Sequence, residues 1–397
     1  MEPGGGRLVR RRGLHRHRRG RPGPGRAGRR AGQGRRQHRG VLGERRTAGH
    51  RGVAAQGPGH PRRRRGDPQR DRGAAVSRHH VVYGAGAVGG VVGGLLHRAG
   101  LPVTLIARGD HLRAIREHGL HLVTSTVDEH LDVRAVEDPA EVMWTGDEIV
   151  HLAVKSDATA QVLPRLHQAA PESTVVSCLQ NGVANEPAAL RWFARVLGIC
   201  VMLPATYLEP GKVEAYSTNV PAVLDCGRYP PRSDGSIDPL AEELAADLRH
   251  AGMESQPRAD IMAWKYRKLV SNLGNAVDAA CEPGPERDEL ARRVREEGEQ
   301  VLAAAGIEVV SREEDAARRG DLIATAPGRG GSSTYQSLAR GTGSVEVDWL
   351  SGEIVALAHR MGRTAPANDL LRRAAVSLVG GRPRSIPAAD LLAQLDS

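Results

Sequence analysis

Lys265, Lys268, Asn272 and Asn275 follow one another at spacings of 3, 4 and 3 inside a stretch of helical periodicity over 260–281. Residues so spaced share one helix face. A lysine on that face, with its pKa lowered by its surroundings, could protonate a ketone oxygen, which an arginine could not do. Lysine is scarce in this chain: Lys155, Lys212, Lys265 and Lys268 stand against 52 arginines. Two of the four, Lys155 and Lys268, fall in candidate motifs. A solvated polar face is the plainer reading of the same spacing, and Lys212 and Lys265 are read as ordinary surface lysines.

A second group of residues has the chemistry of a phosphate cradle. Gly84-Ala85-Gly86-Ala87-Val88-Gly89-Gly90 follows the short β-type run His80-Val81-Val82-Tyr83 and opens a helical pattern over 91–99. A second strand pattern, Val103 to Ala107, comes next. That order is the context a dinucleotide fingerprint needs. Gly84 permits the tight turn, Gly86 lets the backbone approach a pyrophosphate, and Gly89 lets the helix lie close to the sheet. The N–H groups at Ala87 and Val88 then face the charge. A glycine-rich turn in some other α/β protein is the alternative. Arg108 ends the second strand, where an NAD site usually carries an acidic residue. A guanidinium pairs with a 2′-phosphate, so the expected cofactor is NADP(H). In the competing arrangement Arg108 is solvated and Asp110 reaches the ribose.

These residues need elements to position them. Asp110 to His118 reads as a helix, 120–123 and 131–136 as strands, and 148–154 as a strong apolar strand ending at Lys155. Asp157 to Ala169 reads as a helix with Asp157 as N-cap. Thr174 to Leu179 is a further buried strand, ending in Gln180-Asn181-Gly182. Strands alternating with helices imply a parallel, doubly wound sheet, which binds ligands beyond its C-terminal strand ends. The glycine loop, Arg108, Lys155 and Asn181 all fall there. Strands recur within 207–224 around the turn Glu209-Pro210-Gly211, and 239–250 reads as a helix. From Asp260 the pattern is almost wholly helical, over 260–281, 285–305, 312–325, 343–362 and 366–379. The expected fold is therefore α/β: a doubly wound Rossmann-type N-terminal domain over 78–258 and an all-helical C-terminal domain over 259–397. The active site is expected in the cleft between them.

Composition sets the first 77 residues apart. They hold 23 Arg, no Lys, four acidic residues and no aromatic residue. The chain as a whole carries a formal charge of +10, so residues 78–397 are net acidic. Such a stretch cannot bury enough apolar surface to offset its ordering entropy, and disorder is expected. Arginine without lysine suits translated GC-rich sequence upstream of a true start near Val76 or Arg78. A nucleic-acid-binding arm would draw on lysine and aromatic residues as well. Removing 1–77 is expected to leave folding and turnover unchanged. Cys178, Cys200, Cys226 and Cys281 have no metal-ligand spacing and read as free thiols in a reducing compartment, with no metal site. No apolar run reaches 18 residues, so no membrane span is expected. The lack of an apolar leader core points to the cytoplasm.

The stretch Gly84 to Gly90, with Lys155, Asn181-Gly182, Lys268-Leu269-Val270-Ser271-Asn272, Ser332-Ser333 and Glu346-Val347-Asp348, resembles the ketopantoate reductase (2-dehydropantoate 2-reductase) family. The resemblance covers most of 80–380. It implies that Lys268 is the general acid and Glu346 the active-site carboxylate. It implies that Asn181 lies near both cofactor and substrate, that Asn272 contacts substrate, that the Ser333 hydroxyl binds the substrate carboxylate, and that Lys155 lies on the cofactor side. Asn181-Gly182 as a mere turn, Ser333 as a loop serine and Glu346 as an exposed helix residue are the alternatives. The best-known members carry a second asparagine where this chain has Ala276. Asn275 lies one position earlier, about 100° around the helix, and is not expected to replace it. Ser333 and Glu346 are also offset by one residue from those members. The implied activity is NADPH-dependent reduction of a small 2-oxo acid, 2-dehydropantoate or a relative, as in pantothenate biosynthesis. Another 2-hydroxy-acid or opine-type dehydrogenase and a non-catalytic NADP(H) sensor are the competing readings. Oligomeric state is open, a homodimer included.

Overall fold

The computed structural model describes residues 78–324, 346–377 and 386–397. The Arg-rich segment 1–77 and Ser333 lie outside the described residues. The N-terminal part is built from β1 (His79–Tyr83), α1 (Ala87–Arg98), β2 (Val103–Ile106), α2 (Gly109–His118), β3 (Leu120–Val123), β4 (Asp128–Leu131) and β5 (Arg134–Val136). It continues through β6 (Glu148–Leu152), α3 (Thr159–Ala169), β7 (Val175–Cys178), α4 (Asn185–Leu190), β8 (Arg195–Met202), β9 (Ala205–Thr206), β10 (Lys212–Ala215), β11 (Val223–Tyr229) and α5 (Pro239–His250). The helical part holds α6 (Ile261–Ala280), α7 (Pro285–Ala304), α8 (Arg312–Arg319), α9 (Ser351–Arg360), α10 (Pro366–Ser377) and α11 (Ala388–Leu395).

Seven strands form the main sheet in the order β11-β8-β7-β6-β1-β2-β5. All neighbours run parallel except β11, which pairs antiparallel with β8. The chain moves outward from β1 to β2 and β5, then returns to β6 on the other side. That reversal makes β1 and β6 the switch point, beyond whose C-terminal ends a doubly wound sheet binds its ligand. The strands are apolar on both faces because helices cover both. Val82, Leu105 and Ile149 pack with Val91, Leu95 and Leu96 of α1. Val81, Val150 and Leu152 pack with Leu163 and Leu166 of α3. In the helical part, Leu269, Leu273 and Val277 of α6 recur every four residues and meet Val294, Leu302, Ile354 and Leu371. Leu273 is fully buried, and truncating it to alanine should cost about 2–5 kcal/mol.

Several elements differ from the sequence reading. The strand expected over 131–136 is two strands in two sheets: β4 pairs with β3 and β5 with β2. Leu131 and Val133 are both buried, which mimics alternation, but the Val133 N–H donates back to the Leu131 carbonyl and breaks the strand. Asp157 is not the N-cap of α3, which follows a 3-10 turn at Ser156–Ala158. The helix expected over 312–325 ends at Arg319, where Gly320 takes a φ of +44°. The stretch 343–362 contains a 3-10 turn, Glu346–Trp349, before α9. Three elements were missed: α4, α11 and the long apolar strand β8.

Four polar side chains cross the sheet interior. His80 Nδ1 lies 2.9 Å from His151 Nε2, and His151 Nδ1 lies 2.7 Å from Ser177 Oγ. His80 Nε2 faces Asp247 Oδ2 of α5 at 3.3 Å. All four cysteines are buried and free. Among the described residues no helix is long and apolar enough to cross a membrane, and no cluster of His, Cys, Asp and Glu could hold a metal ion.

Candidate active site

The glycine turn is shaped by close packing beneath it and open space above it. Gly84 has a φ of +106°, and a Cβ there would lie 2.8 Å from the Val154 backbone nitrogen. A Cβ on Gly89 would come within 2.8 Å of Ala153 Cβ. Gly86 is different: a Cβ there would meet nothing within 4 Å. Its bareness is not required by the packing of this chain, and it leaves room for a ligand against the backbone. Gly86 is also the N-cap of α1, with no side-chain cap and no acidic residue in the first turn. The helix thus offers its first N–H groups to an anion. His111 braces the loop, its Nε2 lying 2.6 Å from the Ala85 carbonyl oxygen while its Nδ1 accepts from the Gly211 N–H. The residues present fit the pyrophosphate of a dinucleotide.

This turn opens onto a cavity of about 500 Å³. Gly86, Ala87 and Val88 form one wall, Lys155 and Asn181 another, and Lys268, Asn272, Asn275 and Glu346 the side toward the helical part. The loops after β6 and β7 are stitched together. Gln180 Nε2 donates to the Val154 carbonyl at 2.7 Å, and Asn185 Nδ2 donates to Ser156 Oγ at 3.0 Å. Gly182 has a φ of +81°, and a Cβ there would lie 3.0 Å from the Trp349 carbonyl oxygen. The 3-10 turn bearing Glu346 therefore packs directly on the Asn181-Gly182 turn. Asn272 reaches across to Asn181, Nδ2 to Oδ1 at 3.4 Å.

Two titratable groups on the cavity wall, Lys268 and Glu346, are displaced from ordinary values. Burial holds the Lys268 pKa below its usual 10.5, the nearby Cys200 pulls the other way, and the Arg319 cation adds to the lowering. Burial raises the Glu346 carboxyl above 4.5, opposed by the Lys155 cation. A lysine that gives up its proton more readily and a carboxyl that holds one more firmly, on the wall of one cavity, are suited to proton transfer.

A sequence profile described as Ketopantoate reductase PanE/ApbA matches residues 80–226, and one described as Ketopantoate reductase PanE/ApbA C terminal matches 260–376. The chain belongs to the ketopantoate reductase family. A 2-dehydropantoate 2-reductase of Archaeoglobus fulgidus is 31% identical over 302 residues, covering 73% of this chain and 94% of the relative. A PanE/ApbA family ketopantoate reductase from Ralstonia eutropha JMP134 aligns with a TM-score of 0.64 and 31% identity, over 75% of this chain and 98% of that one. D-mandelate dehydrogenase, solved with NADH and anilino(oxo)acetate, gives a TM-score of 0.65 at 21% identity over 79% and 99% of the two chains. That last likeness is one of fold alone.

Within this ketopantoate reductase family member, Gly86, Ala87, Val88, Lys155, Asn181, Lys268, Asn272 and Glu346 are brought together around the cavity. Gly84 and Gly89 lie beneath the loop and support it. Arg108 stands apart. It is exposed, immediately before α2 at the same end of the sheet, and is not part of the cavity wall. Asp110, its competitor, pairs with Arg113 on the surface.

Two sequence expectations are corrected, and one residue was missed. Lys265 is no surface lysine: it is 3% exposed, 2.7 Å from the buried Glu186, and donates to the carbonyls of Gln180 and Ile199. Asn275, discounted on helix geometry, lines the cavity, whereas Ala276 packs in the helical core at 2% exposure. Position 268 and positions 272 and 275 share the face, and 276 turns away from it. Arg319 was missed altogether, although it too lines the cavity. The only trace of it in the sequence is the i,i+4 pair with Asp315, which says nothing about where the guanidinium points.

Proposed function

We propose that this chain reduces a small 2-oxo acid to the corresponding 2-hydroxy acid with NADPH, 2-dehydropantoate being the first substrate to test. The observation that carries the reading is the convergence of Lys268 and Glu346 on the cavity into which the glycine turn opens. In this reading residues 78–258 bind the cofactor, 259–397 complete the substrate site, and 1–77 are an extension that the reaction does not use.

The nicotinamide, when bound, supplies a hydride to the carbonyl carbon. Lys268 donates its proton to the oxygen on which negative charge develops, a role for which its lowered pKa suits it. Glu346 holds the lysine or the new hydroxyl. Asn181 and Asn272, already in contact, orient the carbonyl between the two parts of the chain. Lys155 balances the Glu346 charge on the cofactor side. Arg108, at the end of β2, is the group proposed to hold a 2′-phosphate. Asn275, which lines the cavity where Ala276 does not, is a further amide available to the substrate.

The test is oxidation of NADPH and of NADH by the full chain across a panel of 2-oxo acids. Turnover with NADPH and at least one acid is expected. Tight NADPH binding with no turnover on any acid would make the chain a sensor instead.

A further inference from the structure

Arg319 closes α8 and is the one guanidinium on the described cavity wall. Its side chain is 34% exposed. Asp315, one turn earlier and itself 6% exposed, pairs with its Nη2. The same nitrogen donates to Ser271 Oγ at 3.4 Å. Ser271 lies between Lys268 and Asn272 on α6, so the guanidinium is braced from behind by the helix that carries the proton donor. Its other donors are unspent: Nε is enclosed with no hydrogen-bond partner, and among the described residues no bond engages Nη1.

A 2-oxo acid brings a carboxylate one bond away from the carbonyl that must meet Lys268. A cation beside the lysine suits that carboxylate, and the lysine cannot serve both purposes. A proton donor that doubles as a counterion would hold its proton against the wrong oxygens. Of the other two cations on the wall, Lys155 is coupled to Glu346. Arg319 remains, planar, permanently charged and unable to compete as an acid.

We propose that Arg319 receives the carboxylate of the 2-oxo acid, fixing its carbonyl at Lys268 and selecting acids over neutral ketones. The proposal rests on the reductase reading above. One further consequence follows. The Arg319 charge lowers the Lys268 pKa. A carboxylate seated on the guanidinium offsets that field and leaves Lys268 a better holder of its proton in the complex than in the free enzyme.

The experiment compares wild type, Arg319→Met and Arg319→Lys in the full chain. The substrates are the best 2-oxo acid from the panel and its neutral 2-oxo amide, and NADPH affinity and thermal midpoint are measured alongside. A charge-assisted pair is worth about one to two decades in affinity. Arg319→Met should raise KM for the acid by about ten- to a hundredfold, leave the amide within about threefold, and leave NADPH affinity unchanged. Arg319→Lys should recover part of the KM, because it keeps the charge and loses the fork. In wild type the alkaline limb should lie at higher pH for kcat than for kcat/KM, and Arg319→Met should abolish that gap. Equal losses with acid and amide, or an unchanged KM for the acid, would overturn the anchor while leaving the reductase intact. If wild type turns over no 2-oxo acid at all, the reductase reading falls first and the anchor with it. A fall in thermal midpoint with unchanged kinetics would make Arg319 a structural partner of Asp315 and overturn the proposal.

Discussion

The Lys265 ammonium lies 2.7 Å from Glu186 Oε1, and neither side chain reaches solvent. This pair ties α6, which carries Lys268, to α4 and, through the carbonyls of Gln180 and Ile199, to the loop after β7 and the middle of β8. Removing one member of a buried pair strands the other charge. Lys265→Ala should therefore cost about 3–5 kcal/mol of stability, read as a lower urea midpoint. Lys265→Met combined with Glu186→Leu should recover most of it. A Lys265→Ala variant as stable as wild type would contradict the pairing.

In the proposed reaction the proton comes from the lysine one turn later. Lys268→Ala should lower kcat by about 10²- to 10⁴-fold, the usual contribution of a positioned acid, with NADPH affinity near wild type. Lys268 acts in its protonated form, and its folded pKa is below 10.5. The kcat profile should consequently fall on its alkaline side before pH 10.5, as the proton is lost. Glu346→Gln should also slow turnover, non-additively with Lys268→Ala. If Lys268→Ala retains full activity on the best acid of the panel, another group protonates the oxygen.

Cofactor choice is proposed to rest on Arg108. Replacing it with alanine should weaken NADPH by about one to two decades, equivalent to about 1.5–3 kcal/mol for a charge-assisted pair. NADH should be little affected, since it presents no 2′-phosphate. Equal losses for the two cofactors would remove Arg108 as the discriminator.

Two glycines in one turn should behave oppositely. Gly86→Ala places a methyl in open space. Its thermal midpoint should hold while cofactor affinity falls. Gly84→Ala meets a φ of +106° and the Val154 backbone at 2.8 Å, and it should be unstable before any cofactor is added. Wild-type cofactor binding in Gly86→Ala would show that the pyrophosphate lies elsewhere.

Inside the sheet, burial and the neighbouring His80 hold the His151 pKa well below 6.5. The unfolded chain takes up that proton near pH 6.5 and the folded chain does not. Stability from this group is thus present above pH 6.5 and lost as the pH falls toward the folded value, at up to about 1.4 kcal/mol per pH unit. His151→Gln should flatten the dependence of unfolding free energy between pH 7.5 and 5.5 relative to wild type, with His80 and Asp247 still in place. An identical slope in the two proteins would assign the loss to other groups.

The order of the parallel sheet was legible because its strands are short apolar runs bounded by turn residues, and the glycine turn sat between two of them. The Lys268 helix was legible for the same reason of period. The split at Asp132 was not, since a single N–H to C=O bond between Val133 and Leu131 decides it and alternation survives on both sides. The strand β8 could have been found from its apolar run, Val196 to Met202. The reversal at Asn275 and Ala276 has a different origin. One residue of helix rotation decides which side chain faces the cavity, and that rotation is set by how α6 packs on α7 and the sheet. The aim of Arg319 likewise depends on a contact between helices far apart in sequence, which no local pattern encodes.

The placement of the lysines gives the molecule an unusual chemical address. Of its four ε-amines, one is sealed against Glu186, two look into the cavity, and only Lys212 lies away from it. A small amine-acylating reagent should therefore modify few positions besides the chain's α-amino group, and two of the three lysines it can reach should be within the cavity. Lys268, with the lowered pKa, should react first at moderately alkaline pH, and a bound nucleotide or acid should shield it. Labelling stoichiometry with and without ligand would then report occupancy of the site directly, with no substrate turned over.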